Sequence, residues 1–269
     1  MTVRTATRRP DSASPRKIAN LTIGGALLAG LFGAAQPAVA QTRNDGWEFS
    51  LSPYVWFAGV SGDVTLPRGG NRDFSADFGD VFDSLKFGAM ATAEARRGRF
   101  GVVLDFVYLE NEEGFNSPRS IAVRGGDTRL TTTELSVVGL FRAVEQPGYW
   151  LDVGGGLRAW WLDTDVSANQ GLLAGRSASA SSNWVDPLIA ARGQVRLSEA
   201  FSLTAYGDVG GFDTGSKLTW QAIGSLDWRI TPAIIGRAGW RYMAVDRSRD
   251  NVEADIAMSG PFLGVTFRF

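Results

Sequence analysis

The chain of 269 residues contains no cysteine and no histidine. Without cysteine, no disulfide framework can hold an exported domain together. Without histidine, neither a Ser/His/Asp relay nor a histidine metal site can be assembled. Charge of one sign is also missing: 27 basic against 28 acidic side chains leave a formal net charge of −1. A nucleic-acid surface needs a basic excess to displace counterions, so that class of partner is excluded. Beyond residue 41 no apolar run is long enough for a transmembrane helix.

What is present begins with an export signal. Arg4, Arg8, Arg9, Arg16 and Lys17 form a basic opening, followed by the apolar "LTIGGALLAGLFGA" at 21–34 and "AVA" at 38–40. That order is a secretory signal with small residues at the cleavage point. Residues 1–40 are therefore expected to be removed, with cleavage near Ala40/Gln41, leaving a single domain over 41–269. An uncleaved anchor is the alternative, although the run is short for a bilayer.

After the signal, segments of about ten to fourteen residues alternate between apolar and polar or small residues. Period two means strand, and strands of this length exceed the usual soluble one. Ten are expected: 47–60, 85–97, 99–110, 129–143, 149–162, 184–197, 201–212, 217–230, 234–246 and about 253–269. Tight connections ("RGR", "VEQPG", "SEA", "TPA") alternate with longer polar stretches at 61–84, 111–128 and 163–183 and shorter ones near 213–216 and 247–252. Short turns on one side and longer loops on the other describe a closed antiparallel transmembrane β-barrel. Eight or twelve strands also fit, because the first loop has room for another crossing.

The distribution of charge over the two faces of each strand supports lipid on the outside. In every strand the apolar register carries no charge away from the ends, as in Phe100, Val102, Leu104, Phe106 and Tyr108. A charge facing hydrocarbon at mid-depth costs about 2–4 kcal/mol. Aromatic residues on this face gather at strand ends. Trp47, Phe100, Phe141, Tyr149, Phe201, Trp228 and Phe267 lie toward the short turns, and Phe57, Phe87, Tyr108, Trp161, Trp220 and Tyr242 toward the long loops. Two such girdles mark the two interfaces of a membrane barrel. A soluble sandwich or calycin-like barrel would use the same alternation with the faces inverted.

The closing decapeptide "GPFLGVTFRF" resembles the assembly signal of bacterial outer-membrane barrels, through Gly264, Phe267 and Phe269. Phe262 departs from that pattern, which usually carries a polar residue there. Together with "WEFSLSPYVWFAGVSG", "FGAMATAEARRGRFGVVLDFVYL", "WVDPLIAARGQVRLS", "YGDVGGF" and "GWRYMAVD", it resembles a set found in outer-membrane barrel proteins of Gram-negative bacteria. The resemblance implies an outer-membrane location, with lipid and lipopolysaccharide as surroundings and the barrel-assembly machinery as a partner during biogenesis. It implies no activity.

Facing inward on the opposite register are Lys86, Glu94, Arg96, Arg99, Arg142, Asp152, Asp186, Asp227 and Arg237, among others. Strand offsets place Asp105, Glu134, Arg158, Arg192, Asp208 and Arg241 at similar mid-barrel height. Trp150, Trp160, Trp184, Tyr206 and Phe262 add bulk. Eight strands are just filled by side chains, and diameter grows with strand number. Ten strands so furnished should be closed or narrowly conducting. The charges either form a selective constriction or keep one another paired because a buried unpaired charge is costly.

Enzymatic barrel families (omptin proteases, phospholipases, lipid A deacylases, the palmitoyl transferase) use a histidine, and none exists here. No cofactor is expected. Paired carboxylates can do acid/base work, but each wall carboxylate has an arginine in prospect. A third class is surface binding through loops. In the first loop Phe74, Phe78, Val81, Phe82 and Leu85 recur at helical spacing with Asp77, Asp80 and Asp83 on another face. Phe74, Ala76 and Phe78 also alternate as in a strand. The three aspartates can bridge cations to lipopolysaccharide or form a solvated face. The third loop, "VSANQGLLAGRSASASSN", is expected to be mobile. Pro53 and Pro261 interrupt the two strands that must meet to close the ring, which predicts a loosened seam.

Overall fold

The computed structural model describes residues 46–66, 70–116, 125–249 and 252–269. The expected export signal at 1–40 and its cleavage near Ala40/Gln41 lie outside them. Among the described residues, twelve strands and one short helix follow one another. They are β1 (Trp47–Trp56), β2 (Gly59–Leu66), β3 (Gly70–Ala76), α1 (Phe78–Asp83), β4 (Leu85–Arg97), β5 (Phe100–Asn116) and β6 (Gly125–Gln146). Then come β7 (Tyr149–Gln170), β8 (Ser177–Arg196), β9 (Phe201–Gly211), β10 (Leu218–Arg229), β11 (Ile234–Arg249) and β12 (Val252–Arg268).

β1 and β4 through β12 form the wall, each antiparallel to its neighbours, and β1 pairs with β12 to close it. This is a closed ten-stranded barrel. β2 and β3 are a hairpin added at the outer edge, where β2 continues along β12. Tight turns join β4 to β5, β6 to β7, β8 to β9 and β10 to β11. Gly98, at φ +57°, makes the first of these, a conformation that a side chain rarely adopts.

Exposure of the faces decides between lipid and water outside. Leu157, Ile189, Leu263 and Trp228 are 53%, 60%, 56% and 51% exposed, whereas Asp152, Arg158 and Asp186 are completely enclosed. A soluble barrel would bury the first set and expose the second. The girdles are continuous between neighbouring strands. Phe100 meets Phe141 at 5.2 Å and Phe201 meets Trp228 at 6.4 Å on one rim. On the other, Phe87 meets Tyr108 at 5.8 Å and Trp220 meets Tyr242 at 4.7 Å. The barrel is a transmembrane one.

Several sequence expectations are corrected. The polar stretches 111–128 and 163–183 are largely strand, since β5 and β6 run to Asn116 and from Gly125, and β7 and β8 to Gln170 and from Ser177. Above the membrane both faces of a strand meet water, so the apolar alternation stops while the hydrogen-bond ladder continues. In the third loop only 171–176 turns, with Gly171 and Gly175 at positive φ and the Gly175 amide donating to Ala168 O at 2.8 Å. It is a hairpin tip. The first loop holds both alternatives: strand β3 ends at Ala76 and α1 begins at Phe78. Asp77 and Asp80 form its capping box, each carboxylate accepting from the other's amide at 3.0 and 3.1 Å.

The seam has the predicted interruption at both of its prolines. The β1–β12 register runs through Leu51↔Phe267 and resumes at Tyr54↔Gly264, omitting Ser52 and Pro53. There the Ser52 and Thr266 hydroxyls bond each other at 2.7 Å, so side chains bridge where the proline has no N–H. A second lapse falls at Pro261, where the pairing stops at Trp56↔Phe262 and resumes at Gly59↔Ser259, although the Phe57 amide still donates to Pro261 O at 2.9 Å.

Candidate functional site

The lumen is where the chain concentrates its chemistry, because the period-two register sends every second residue inward. Its polar side chains sort into three groups, with an apolar cluster toward the outer rim.

The central group is Asp105, Arg241, Glu134, Arg158 and Asp208. Arg241 Nη2 lies 2.8 Å from Asp105 and 3.8 Å from Glu134. Arg158 Nε donates to Glu134 at 3.2 Å, and its Nη2 to Asp208 at 2.7 Å. Neutral groups complete the set. Tyr54 and Thr92 donate to Asp105 at 2.9 and 3.0 Å, Gln221 donates to Asp208 at 2.6 Å, and Arg241 donates to the Tyr54 hydroxyl at 2.6 Å. Around the ring, β6 and β11 stand five strands apart in either direction. The Arg241–Glu134 contact therefore crosses the full diameter.

The second group sits nearer the short turns. Asp152, fully enclosed, accepts from Arg96 at 2.6 Å, from Arg192 at 3.0 Å and from Arg142. Arg192 grips Glu94 with both terminal nitrogens, at 2.8 and 2.9 Å, the bidentate geometry that suits a guanidinium. Arg142 and Arg192 also lie over the Trp150 ring, at 4.3 and 5.2 Å. Of the six residues placed at one height from sequence, five meet in the central group. Arg192 does not, because strand tilt carries it to this lower level. Three carboxylates face two guanidiniums in the central group, and two face three here. The groups thus have opposite formal charge and are stacked along the barrel axis.

A third, smaller group joins Asp227 to Arg237 at 3.1 Å, with Thr204, Ser225 and Gln194 as neutral partners. Lys86 and Arg99, expected inside, sit at the rims. Lys86 is exposed and 3.7 Å from Glu112, and Arg99 lies 6.0 Å from the Phe141 ring. Asp186 is enclosed without a cation among the described residues. It accepts from the Ser216 amide at 2.6 Å, the Ser216 hydroxyl at 2.9 Å and Trp184 Nε1 at 3.0 Å. A Cβ on Gly215 would stand 2.6 Å from this carboxylate, so the β9–β10 turn can fold against it only because that position is glycine.

Toward the outer rim the lumen becomes apolar: Trp56, Ala58, Trp160, Met243, Val245 and Phe262 pack together, with Met90 and Met258 against them. Arg241 caps this cluster, 4.8 Å from the Trp56 ring. Sequence reasoning named the aromatics as bulk but missed the methionines, whose register position was the available signal. Between the groups lies a cavity of about 100 Å³, lined by Tyr54, Asp105, Arg192, Tyr206, Gln221 and Arg241 among others. Arg192, Gln221 and Arg241 each keep a buried polar atom without a hydrogen-bond partner among the described protein atoms. A space this size suits a few waters that satisfy them.

No protein-family model matches this chain, and no curated protein matches its sequence. Solved structures do. The outer membrane protease OmpT from Escherichia coli aligns over 86% of this chain and 99% of its own, with 9% identity and a TM-score of 0.50. The translocator domain of the autotransporter NalP from Neisseria meningitidis aligns over 84% and 90%, with 14% identity and a TM-score of 0.40. The attachment invasion locus protein Ail of Yersinia pestis aligns over 84% and 99%, with 16% identity and a TM-score of 0.35. At these identities the likeness to OmpT is one of fold: that of a Gram-negative outer-membrane β-barrel.

Proposed function

We propose that the protein resides in the outer membrane of a Gram-negative bacterium as a side-chain-filled barrel, a structural wall element that does not conduct in its resting state. One observation carries this reading. Arg241 on β11 reaches Glu134 and Asp105 on the far wall, while Arg158 is completely enclosed between Glu134 and Asp208. Long guanidinium side chains thus span the lumen at mid-depth, and their partners hold them there. The lipid-facing band supports the location, and the Gly264, Phe267, Phe269 pattern supports recognition by the barrel-assembly machinery. Lipopolysaccharide would surround the outer rim.

An enzymatic role has less support. The fold also serves a protease, so fold does not decide the matter. However, the chain has no histidine, and the central carboxylates are engaged by arginine. Surface binding remains compatible, because β5 to β8 carry polar hairpins beyond the outer girdle.

Planar-bilayer recording of the refolded protein tests the reading. The wild type is expected to be silent, and Arg158→Ala/Arg241→Ala to show steady openings. Steady openings of the wild type would instead make it a narrow polar pore.

A further inference from the structure

Apart from the short lapses at the seam, the wall is interrupted between β1 and β4, and the register measures the interruption. Against β12, β1 and β2 keep one register across Phe57 and Ala58: Trp56↔Phe262 and Gly59↔Ser259 belong to the same alignment. On their other side, β3 pairs at the top and β4 at the bottom. Carried downward, the β2–β3 register would set residue 83 opposite Pro53. The residue there is Ala91, eight further along. Eight residues, 77–84, separate the end of β3 from the start of β4.

Tyr54 to Gly59 therefore have no strand partner on this side down to Pro53↔Ala91, and Leu85 to Met90 pair only with β5 among the described residues. That is about 20 Å of strand edge at ~3.3 Å per residue. Half of it, Tyr54 to Trp56 on one edge and Gly88 to Met90 on the other, lies below the outer girdle marked by Phe57 and Phe87, at hydrocarbon depth. Unpaired backbone at that depth is tolerated only where protein covers it or where it lines a cavity.

Helix α1 lies across this gap as a strap. On one side Phe78 meets Phe57 at 4.9 Å and Phe82 at 5.5 Å. On the other, Asn111 donates to Val81 O and to Ser84 Oγ, both at 2.9 Å, and the Glu112 amide donates to Ser84 O at 2.8 Å. Behind the gap sits the apolar cluster of the lumen, which gathers Met90, Met243 and Met258, all the methionines among the described residues. Methionine adapts its packing to irregular apolar shapes. A polar lip, an adaptable apolar back and continuity with the lipid-facing wall together fit an amphipathic molecule with a hydrocarbon tail.

We propose that the gap between β1 and β4 is a lateral site for an outer-leaflet membrane lipid, one acyl chain passing beneath α1 onto the methionine cluster. This rests on the membrane reading above. The strand faces match as if the ladder had once been complete. Deleting 77–84 would set Phe87 opposite Phe57 on the lipid side and Met90 opposite Tyr54 on the lumen side. Only the inserted segment keeps the wall open.

The test uses the full mature barrel in phosphatidylethanolamine vesicles doped with a phosphatidylcholine carrying a diazirine on one acyl chain, with adducts mapped by mass spectrometry. The wild type is expected to label both at outward residues such as Leu226 and Leu263 and at the lumenal Met90, Met243 and Met258. Deletion of 77–84 should abolish the methionine adducts and keep the outward ones. Phe78→Ala/Phe82→Ala, which keeps the chain length, should increase the methionine adducts by loosening the strap. Outward labelling without methionine labelling overturns the proposal, as does methionine labelling unchanged in both variants. Methionine labelling by diazirine-palmitate but not by the phospholipid would assign the site to free fatty acids and overturn it too. Loss of outward labelling would overturn the membrane reading itself.

Discussion

Arg158 illustrates how strongly a single residue can be constrained in this barrel. It is enclosed completely, with Glu134 and Asp208 on its guanidinium and Thr219 accepting from Nη1 at 3.3 Å. Breaking a buried pair leaves uncompensated charge, so Arg158→Ala should destabilise by about 3–5 kcal/mol in reversible urea unfolding from vesicles. Neutralising its partners as well, with Arg158→Met/Glu134→Gln/Asp208→Asn, should recover most of that loss. Arg192→Ala should cost less than Arg241→Ala. Arg96 and Arg142 still hold Asp152 and Arg96 still holds Glu94, whereas among the described residues Arg241 is the one cation paired with Asp105.

At the scale of elements, the outer hairpin of β5 and β6 depends on charge exposed to water. Glu112 accepts from Arg129 at 3.0 Å, and this hydrogen bond, with Lys86 nearby, holds the carboxyl below its ordinary range. Arg129 is correspondingly shifted upward by Glu112. A carboxylate whose folded pKa is depressed contributes stability above its unfolded pKa and loses it as pH falls through the folded value. Protection of the amides at 110–113 and 128–131, taken relative to the intrinsic exchange rate at each pH, should therefore fall below about pH 4. The Glu112→Gln variant should already exchange faster at neutral pH and lose the acid dependence. At the seam, Pro53→Ala restores an N–H where the β1–β12 ladder lapses. Faster assembly or a higher heat-modifiability temperature is expected, and no change in either would count against a loosened seam.

For the molecule as a whole, the interior separates into charged layers and an apolar outer cap, and each layer joins strands that are remote in the ring. Sealing is therefore cooperative. Removing one cross-lumen arginine should lower stability before it opens a path, and conductance should need the double variant. The strand count and the membrane were readable beforehand, from ten alternating segments and uncharged outer faces. The partners of Arg192 were not, since sequence offset gives position along a strand but not the tilt that sets its height in the barrel. The hairpins above the girdle were also hidden, because a ladder with water on both sides needs no alternation.

By itself, the sequence determined which side of each strand meets lipid, because side-chain direction alternates locally and a charge in hydrocarbon is costly. It also determined that histidine chemistry is absent. Only the closed structure decided which arginine meets which carboxylate across the lumen, since those contacts depend on the circumference and stagger of the whole ring. The same holds for residues 77–84. Their pattern allows helix or strand, and only the registers on either side make them a strap over a gap in the wall.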